Sequence, residues 1–422
     1  MNRINLLLKN SLVKTSFVYT LINFVNKAFP FILLPLLTRT LSPSDYGEYS
    51  LFRASTNILL PLIGVNLSEY IMKNYYSNDE YSFSQKISLS IFINLILFGV
   101  IMGIVSIVNK GFISQTFDIH KEFILASIII TLCTSINNIE RNILRCQNNT
   151  KLFSVLVIGQ TLLFFVSVLC LYYLRLLTLF SLIKIEVITY LFFGVISLLV
   201  LKYKFKTYLF FDSRLLKLMF SFCIPLVLNS FLAYIFSLSD RFIIAKELDS
   251  ESVGYYSVAF QLVSVLQILA VAFNTSWTPF IYQKLKENVE HSYIRKIQTK
   301  AIIFFVFLGL VYFLFLSFGF KYIVGEKYLH GVKLVKWLLI GTLFQLIYWL
   351  NSTILIYRQK NWSLTIFSLV VTTFSIVSNF SLIKKYGIEV SAVIYCVSWI
   401  LLASLTYFKS QKIIKCDTPF HH

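Results

Sequence analysis

The sequence predicts an all-α integral membrane protein of about twelve transmembrane helices, arranged as two sets of six. Three observations carry this. The 422 residues are 57% apolar and 17% aromatic but only 14% charged, a balance that soluble domains of this size do not reach. Apolar runs of the roughly 20 residues a bilayer requires recur along the whole chain, and they stay apolar turn after turn where a barrel strand would alternate. Finally, a constant shift of 207 residues superimposes Leu41 on Leu248, Gly47 on Gly254, Tyr49 on Tyr256 and Ser50 on Ser257. The shift is about half the chain, as in a carrier built from two repeats.

Charged or turn-forming segments cut the apolar sequence into runs at 15–37, 46–70, 87–108, 122–145, 152–174 and 178–201, then at 215–239, 252–276, 299–319, 332–356, 362–383 and 388–408. Pro30, Pro35, Pro61 and Pro225 fall inside runs, where a lost backbone hydrogen bond bends a helix. The strongest break is the basic stretch 202–214. It divides the chain into an N-terminal six-helix lobe (1–201), a linker (202–214) and a C-terminal lobe with a short tail (215–422). About 23 of the 38 lysines and arginines fall in the two tails and the even-numbered connections. The positive-inside rule therefore puts both termini in the cytoplasm. With six spans in each half, the two repeats insert the same way up.

The net charge of +19 lies in short loops, so it reads as orientation and attraction to anionic membrane lipids, and no basic domain exists to bind nucleic acid. The six cysteines are scattered and imply no disulfide framework. No cleavable signal is expected, because the first run is long and interrupted by Asn23, Asn26 and Lys27. There is no phosphate-binding glycine loop, zinc motif, nucleophile elbow or membrane-buried carboxylate pair, so the chain reads as no enzyme, without metal or cofactor.

Function is sought in polar residues at membrane depth, since these are costly there and face cavities or one another. Ser16, Thr20, Asn23 and Lys27 share one face of the first span. Ser50, Arg53, Asn57 and Ser68 do so in the second, and Thr134, Asn138, Arg141 and Arg145 in the fourth. Lys27, Arg53, Arg141 and Arg145 form a candidate cationic wall. The alternative is that Lys27 and Arg53 snorkel or pair within the bundle, and that Arg141 and Arg145 only mark a helix end. In the second half the stripes are uncharged: Gln261 on one span, Gln345 and Tyr348 on another. A cation wall facing amides and rings suits a ligand with an anionic end and a sugar-like end. Asp240 is the candidate for proton or sodium coupling, with an interfacial anchor as the alternative. Gly47 and Gly254 are expected to be hinge residues in turns.

Four segments carry a resemblance: L-L-P-L-L-T-R-T-L-S-P-S-D-Y-G-E-Y-S (33–50), D-R-F-I-I (240–244), V-G-Y-Y-S-V-A (253–259) and W-T-P-F-I-Y (277–282). The chain resembles Wzx-type O-antigen and polysaccharide repeat-unit flippases, of the MATE-like MOP exporter superfamily. That resemblance implies a V-shaped pair of six-helix lobes working by ion-coupled alternating access in the bacterial inner membrane. The implied substrate is an undecaprenyl-diphosphate-linked oligosaccharide, moved from the cytoplasmic to the periplasmic leaflet, with Lys27 and Arg53 as its cationic contacts. Polysaccharide polymerase and chain-length machinery are the implied partners. A multidrug exporter of the same superfamily and a polysaccharide polymerase are the alternatives.

Overall fold

A computed structural model describes residues 11–77, 80–108, 120–287, 289 and 291–416. Twelve helices of 22 residues or more run through them. Six of them, with the short α3 (Leu67–Lys73) in addition, precede the basic stretch: α1 (Ser11–Thr40), α2 (Pro43–Gly64), α4 (Phe83–Ile107), α5 (Lys121–Cys146), α6 (Thr150–Tyr173) and α7 (Leu179–Phe205). Six follow it: α8 (Ser213–Glu247), α9 (Ser250–Lys286), α10 (His291–Ile323), α11 (Val332–Tyr357), α12 (Asn361–Tyr386) and α13 (Ile388–Cys416), with a 3₁₀ turn at Glu326–Gly331 before α11. Among the described residues, ten helices are long and apolar enough to cross a membrane. Although α1 and α2 fall outside that set, at 30 and 22 residues they are long enough to span.

Local sequence sets the helix starts. The Ser42 hydroxyl accepts from the Asp45 backbone N–H at 3.1 Å while the Asp45 carboxylate accepts from the Ser42 N–H at 3.2 Å, a reciprocal box that opens α2. Ser82 and Gln85 do the same for α4, and Thr178 and Ser181 for α7. Asp249 opens α9 by accepting from the Ser252 N–H at 2.7 Å. Asp212 precedes α8 and accepts from the Leu215 N–H at 2.8 Å and the Tyr81 hydroxyl at 3.0 Å. The Leu215 N–H is the chief cause that holds its carboxyl below the usual range.

The chain packs as two compact units. One comprises Met1–Leu33 with Glu48–Ile235, the other Leu34–Gly47 with Phe236–His422. The packing thus cuts the chain elsewhere than the basic stretch at 202–214. The first two turns and more of α8 belong with the first unit, because Leu215, Met219 and Cys223 bury against Val65, Leu67, Tyr70, Leu89 and Ile93. Deeper in that unit, α5 buries Ile136, Ile139 and Ile143 against Ile71, Ile87 and Leu201. In the second unit α11 and α13 lie side by side, with Ser410 donating to Asn351 at 3.2 Å. Trp399 packs there with Val371 and Leu402.

Two expectations are corrected by this architecture. The second apolar run is not one helix: it breaks between α2 and α3, where Val65 and Asn66 both take left-handed φ values of 47° and 49°. Such angles are costly for a β-branched residue. The break is held from α8, where Ser230 meets the Asn66 side-chain amide at 3.1 Å. Asn66→Ala removes that bond and a residue type tolerant of this conformation. It is expected to cost about 1–2 kcal/mol, read as a lower melting temperature in detergent.

The second correction concerns Gly47 and Gly254. Neither sits in a turn. Each is the fifth residue of its helix, α2 and α9 respectively. A Cβ on Gly47 would lie 1.8 Å from the Ser250 carbonyl oxygen, and one on Gly254 would lie 2.0 Å from that of Pro43. The 207-residue shift carries Pro43 onto Ser250, so the contact is reciprocal: each copy of the repeat seats its glycine on the first turn of the other. The glycines serve close backbone approach. Above them Tyr328 is fully buried and donates to the Ser42 carbonyl at 2.8 Å.

Candidate functional site

In the first unit, the polar residues of α2, α5 and α7 converge. On α7, Glu186, Tyr190 and Ser197 fall at intervals of four and seven, one face of a helix. Opposite Glu186 stands Arg53 of α2, and the two form an ion pair. Glu186 is 1% exposed, whereas 43% of the Arg53 side chain remains open. One turn before Arg53, Tyr49 donates to the second oxygen of Glu186 at 2.9 Å. Tyr190 is a further partner of the Arg53 guanidinium. Asn57, one turn beyond Arg53, turns its amide back onto the Arg53 carbonyl at 2.9 Å, so it serves its own helix.

Towards the other end of α7, Glu140 of α5 is 1% exposed and bonds Ser197. Its neighbour Arg141 donates to Gln160 of α6. Arg145 is exposed, donates to Asn142 at 3.3 Å and lies 5.1 Å over the Phe153 ring. Asn142 in turn reaches Glu69 at 3.3 Å. Lys27 is exposed on α1, and its neighbour Asn26 accepts a hydrogen bond from Thr161. The side chains of Ser16, Thr20 and Asn23 lie outside the described residues.

The expected cationic wall is therefore a mixed one. Arg53 is not a bare cation, because Glu186 neutralises it. Glu140 and Glu186 are two buried carboxylates, each with its own partners at a different end of α7. Sequence reasoning passed over Glu186. The signal was available in the helical phase: Lys184 lies about 200° around the helix from Glu186, and it is exposed while Glu186 is buried.

The second unit repeats the chemistry with different parts. Tyr256 is the counterpart of Tyr49 under the 207-residue shift, and it too donates to a buried carboxylate, that of Asp240. Asp240 also accepts from the Arg241 backbone N–H at 2.8 Å. The Arg241 guanidinium is buried 5.0 Å from the centre of the Phe260 ring, and Phe260 occupies the position equivalent to Arg53. Each unit thus holds a carboxylate, a tyrosine and an arginine, with only the tyrosine conserved in register between the two copies. Gln345 is buried and accepts from Gln267 at 3.0 Å, a bond that ties α11 to α9. Gln261 accepts from Tyr46 at 2.8 Å. Tyr348 packs its ring 5.7 Å from that of Trp399. Among the described residues no group of three His, Cys, Asp or Glu side chains could hold a metal ion.

Arg53 is the feature with the most chemical reach. A guanidinium has five N–H donors in a planar fork, and its exposed edge can take an anion while the buried edge holds Glu186.

The fold is that of MOP-superfamily transporters. A lipid II flippase MurJ in an inward closed conformation aligns with a TM-score of 0.72 at 14% identity, over 94% of this chain and 87% of that one. An inward-facing multidrug resistance MATE family transporter aligns with a TM-score of 0.69 at 12% identity, over 94% of both chains. In sequence the chain is 22% identical to a protein of the Lsg locus of Haemophilus influenzae, over 95% of this chain and 98% of that one. The model of the polysaccharide biosynthesis protein family matches residues 12–285. That match covers more than half the chain and takes in every helix of the Arg53–Glu186 site, and the chain belongs to this family.

Proposed function

We propose that the protein is a flippase for an undecaprenyl-diphosphate-linked oligosaccharide, the repeat unit of an O-antigen or capsule. It carries the unit from the cytoplasmic to the periplasmic leaflet of the bacterial inner membrane, with both of its own termini in the cytoplasm. One observation carries the reading: in a chain of the polysaccharide biosynthesis family, Arg53 keeps 43% of its side chain open within a multi-span bundle. A guanidinium suits a diphosphate through paired N–H donors. Lys27, exposed on α1, is its proposed companion, with Arg141 and Arg145 as further cations along the same unit. Asn23, Asn57, Gln261, Gln345 and Tyr348 are the proposed polar lining, and Asp240 the proposed coupling group for a proton or sodium ion. Polymerase and chain-length machinery are proposed to act on what is delivered.

A deletion strain tests the reading by the leaflet in which glycolipid accumulates. Accumulation of single repeats in the cytoplasmic leaflet is expected, and accumulation in the periplasmic leaflet would favour a polymerase. Arg53 is tested as the Arg53→Gln/Glu186→Gln double variant, which removes both charges of the pair together. Combined with Lys27→Ala, it is expected to cut surface polysaccharide at least tenfold at unchanged protein level. Normal polymer from that variant overturns the reading.

The buried Glu140 and Glu186 favour one second reading, export of an organic cation, for which acidic groups are needed. Glu186 is spoken for by Arg53, which weighs against it. A deletion strain with a shifted drug-susceptibility profile and intact polysaccharide would select the exporter.

A further inference from the structure

A buried carboxylate already occupies the cation that the substrate would use. Glu186 is 1% exposed, and its two oxygens have separate partners: one meets Arg53 and the other accepts from Tyr49 at 2.9 Å. Arg53 reaches out of this arrangement, with 43% of its side chain open. An anion arriving at its open edge competes with Glu186 for the same guanidinium, and two anions facing one cation at close range repel. Releasing Arg53 would leave an ionised carboxylate in a site closed to water, at a cost that neutralisation by a proton avoids.

We propose that Glu186 is a resident counter-anion which the substrate's anionic group displaces from Arg53, each binding event placing one proton on Glu186. The inference rests on the reading of Arg53 as a diphosphate contact. The proton comes from the aqueous phase and goes to the oxygen that faced Arg53, while Tyr49 keeps its hydrogen bond to the other. When the substrate leaves, the proton leaves and the ion pair re-forms. No covalent bond is made or broken apart from that O–H. Glu186 acts as a positioning residue: it holds the guanidinium in place when no substrate is present and lowers the net affinity, so that a tightly gripped diphosphate can be released.

Charged and titratable groups stand around Glu186 on three helices. From α2 it meets Arg53 and Tyr49. On its own helix, Tyr190 stands beside Arg53 and Lys184 is exposed. From α5, Glu140 and Arg141 are engaged with Ser197 and Gln160. Glu48 and His120, 3.7 Å apart, stand at the N-terminal ends of α2 and α5.

The test uses the full chain in detergent with undecaprenyl diphosphate as the probe. Affinity is measured by calorimetry, and proton uptake from the dependence of the binding heat on buffer ionisation enthalpy. If the ion pair leaves Arg53 available in about one molecule in ten, apparent affinity is lowered about tenfold. Glu186→Gln keeps its amide oxygen as an acceptor for Arg53 and turns its amide N–H to the Tyr49 hydroxyl oxygen, so it is expected to fold. It should bind about tenfold tighter than the native chain and take up about one proton fewer per ligand, which subtracts the ligand's own protonation. A merely structural role for Glu186 would not change the proton count. In the native chain, which needs no variant, binding should tighten as pH falls and do so more steeply than in Glu186→Gln. Arg53-dependent binding with the same proton count in both proteins overturns this inference alone. Absence of binding by both proteins overturns it together with the diphosphate reading.

Discussion

Gly47→Ala and Gly254→Ala are each expected to cost the protein its folded state. The methyl group added at Gly47 would stand 1.8 Å from the Ser250 carbonyl oxygen, and the one at Gly254 2.0 Å from the Pro43 oxygen. Both obstacles are backbone atoms in the first turns of helices, fixed by the Ser42–Asp45 and Asp249–Ser252 caps. No rotamer change relieves the clash; one helix must slide off the other by more than an ångström. That movement would also loosen Tyr328, whose hydroxyl is seated on the Ser42 carbonyl. The comparison is Gly99→Ala or Gly103→Ala in α4, where an added Cβ meets nothing within 4 Å. There, alanine is expected to help by about 0.5–1 kcal/mol through helix propensity. The readout is the monodisperse peak of a fluorescent-protein fusion on size exclusion. Collapse for Gly47→Ala and Gly254→Ala beside an intact peak for Gly99→Ala is the expected pattern, and a normal peak for all would refute the close-approach account.

These glycines show where sequence reasoning reaches and where it stops. The repeat was visible, and so was its half-chain offset. A glycine among polar residues was taken for a turn, although a helix crossing asks for glycine just as strongly, because both needs come from the missing Cβ. The caps could have decided it. Ser42 and Asp249 are good helix openers, and each stands five residues before its glycine, which puts the glycine one turn inside the helix. The twelve long helices were legible because twenty apolar residues in succession have few other uses. The break at Val65–Asn66 was not: Gly64 stands just before it, but the left-handed residues are themselves side-chain-bearing, and Asn66 is held by α8 from more than 150 positions away in sequence.

The site was legible by halves. Arg53 was found because a charge in an apolar run stands out. Its partner was missed because pairing is a tertiary fact: 133 residues separate Arg53 from Glu186, and nothing in the local pattern of either helix names the other. A composition-level reading therefore saw cations and missed their counter-charges. The tyrosine at position 49 escaped notice for a related reason, as its equivalence with Tyr256 was used for the repeat and not asked for its chemistry.

The pairing itself predicts a pronounced asymmetry among variants. Arg53→Met leaves Glu186 buried with only Tyr49 to satisfy it, and removing one member of a buried ion pair costs about 3–5 kcal/mol. Since Arg53 is partly open, the lower end of that range is expected. Adding Glu186→Leu removes the stranded charge and exchanges the pair for apolar contacts, so the Arg53→Met/Glu186→Leu double variant should recover most of the loss. Replacing a whole buried pair by apolar groups is often close to neutral. Tyr49→Phe is the milder case, losing one hydrogen bond to a charged group at about 1.5–3 kcal/mol, and its effect should be smaller once Glu186 is leucine. Melting temperatures of the purified variants in one detergent measure all three steps. Additive losses from Arg53→Met and Glu186→Leu would mean that the two side chains stabilise the protein independently. A double variant more stable than Arg53→Met alone is the outcome that marks them as one unit, in which the cation is present because the carboxylate is.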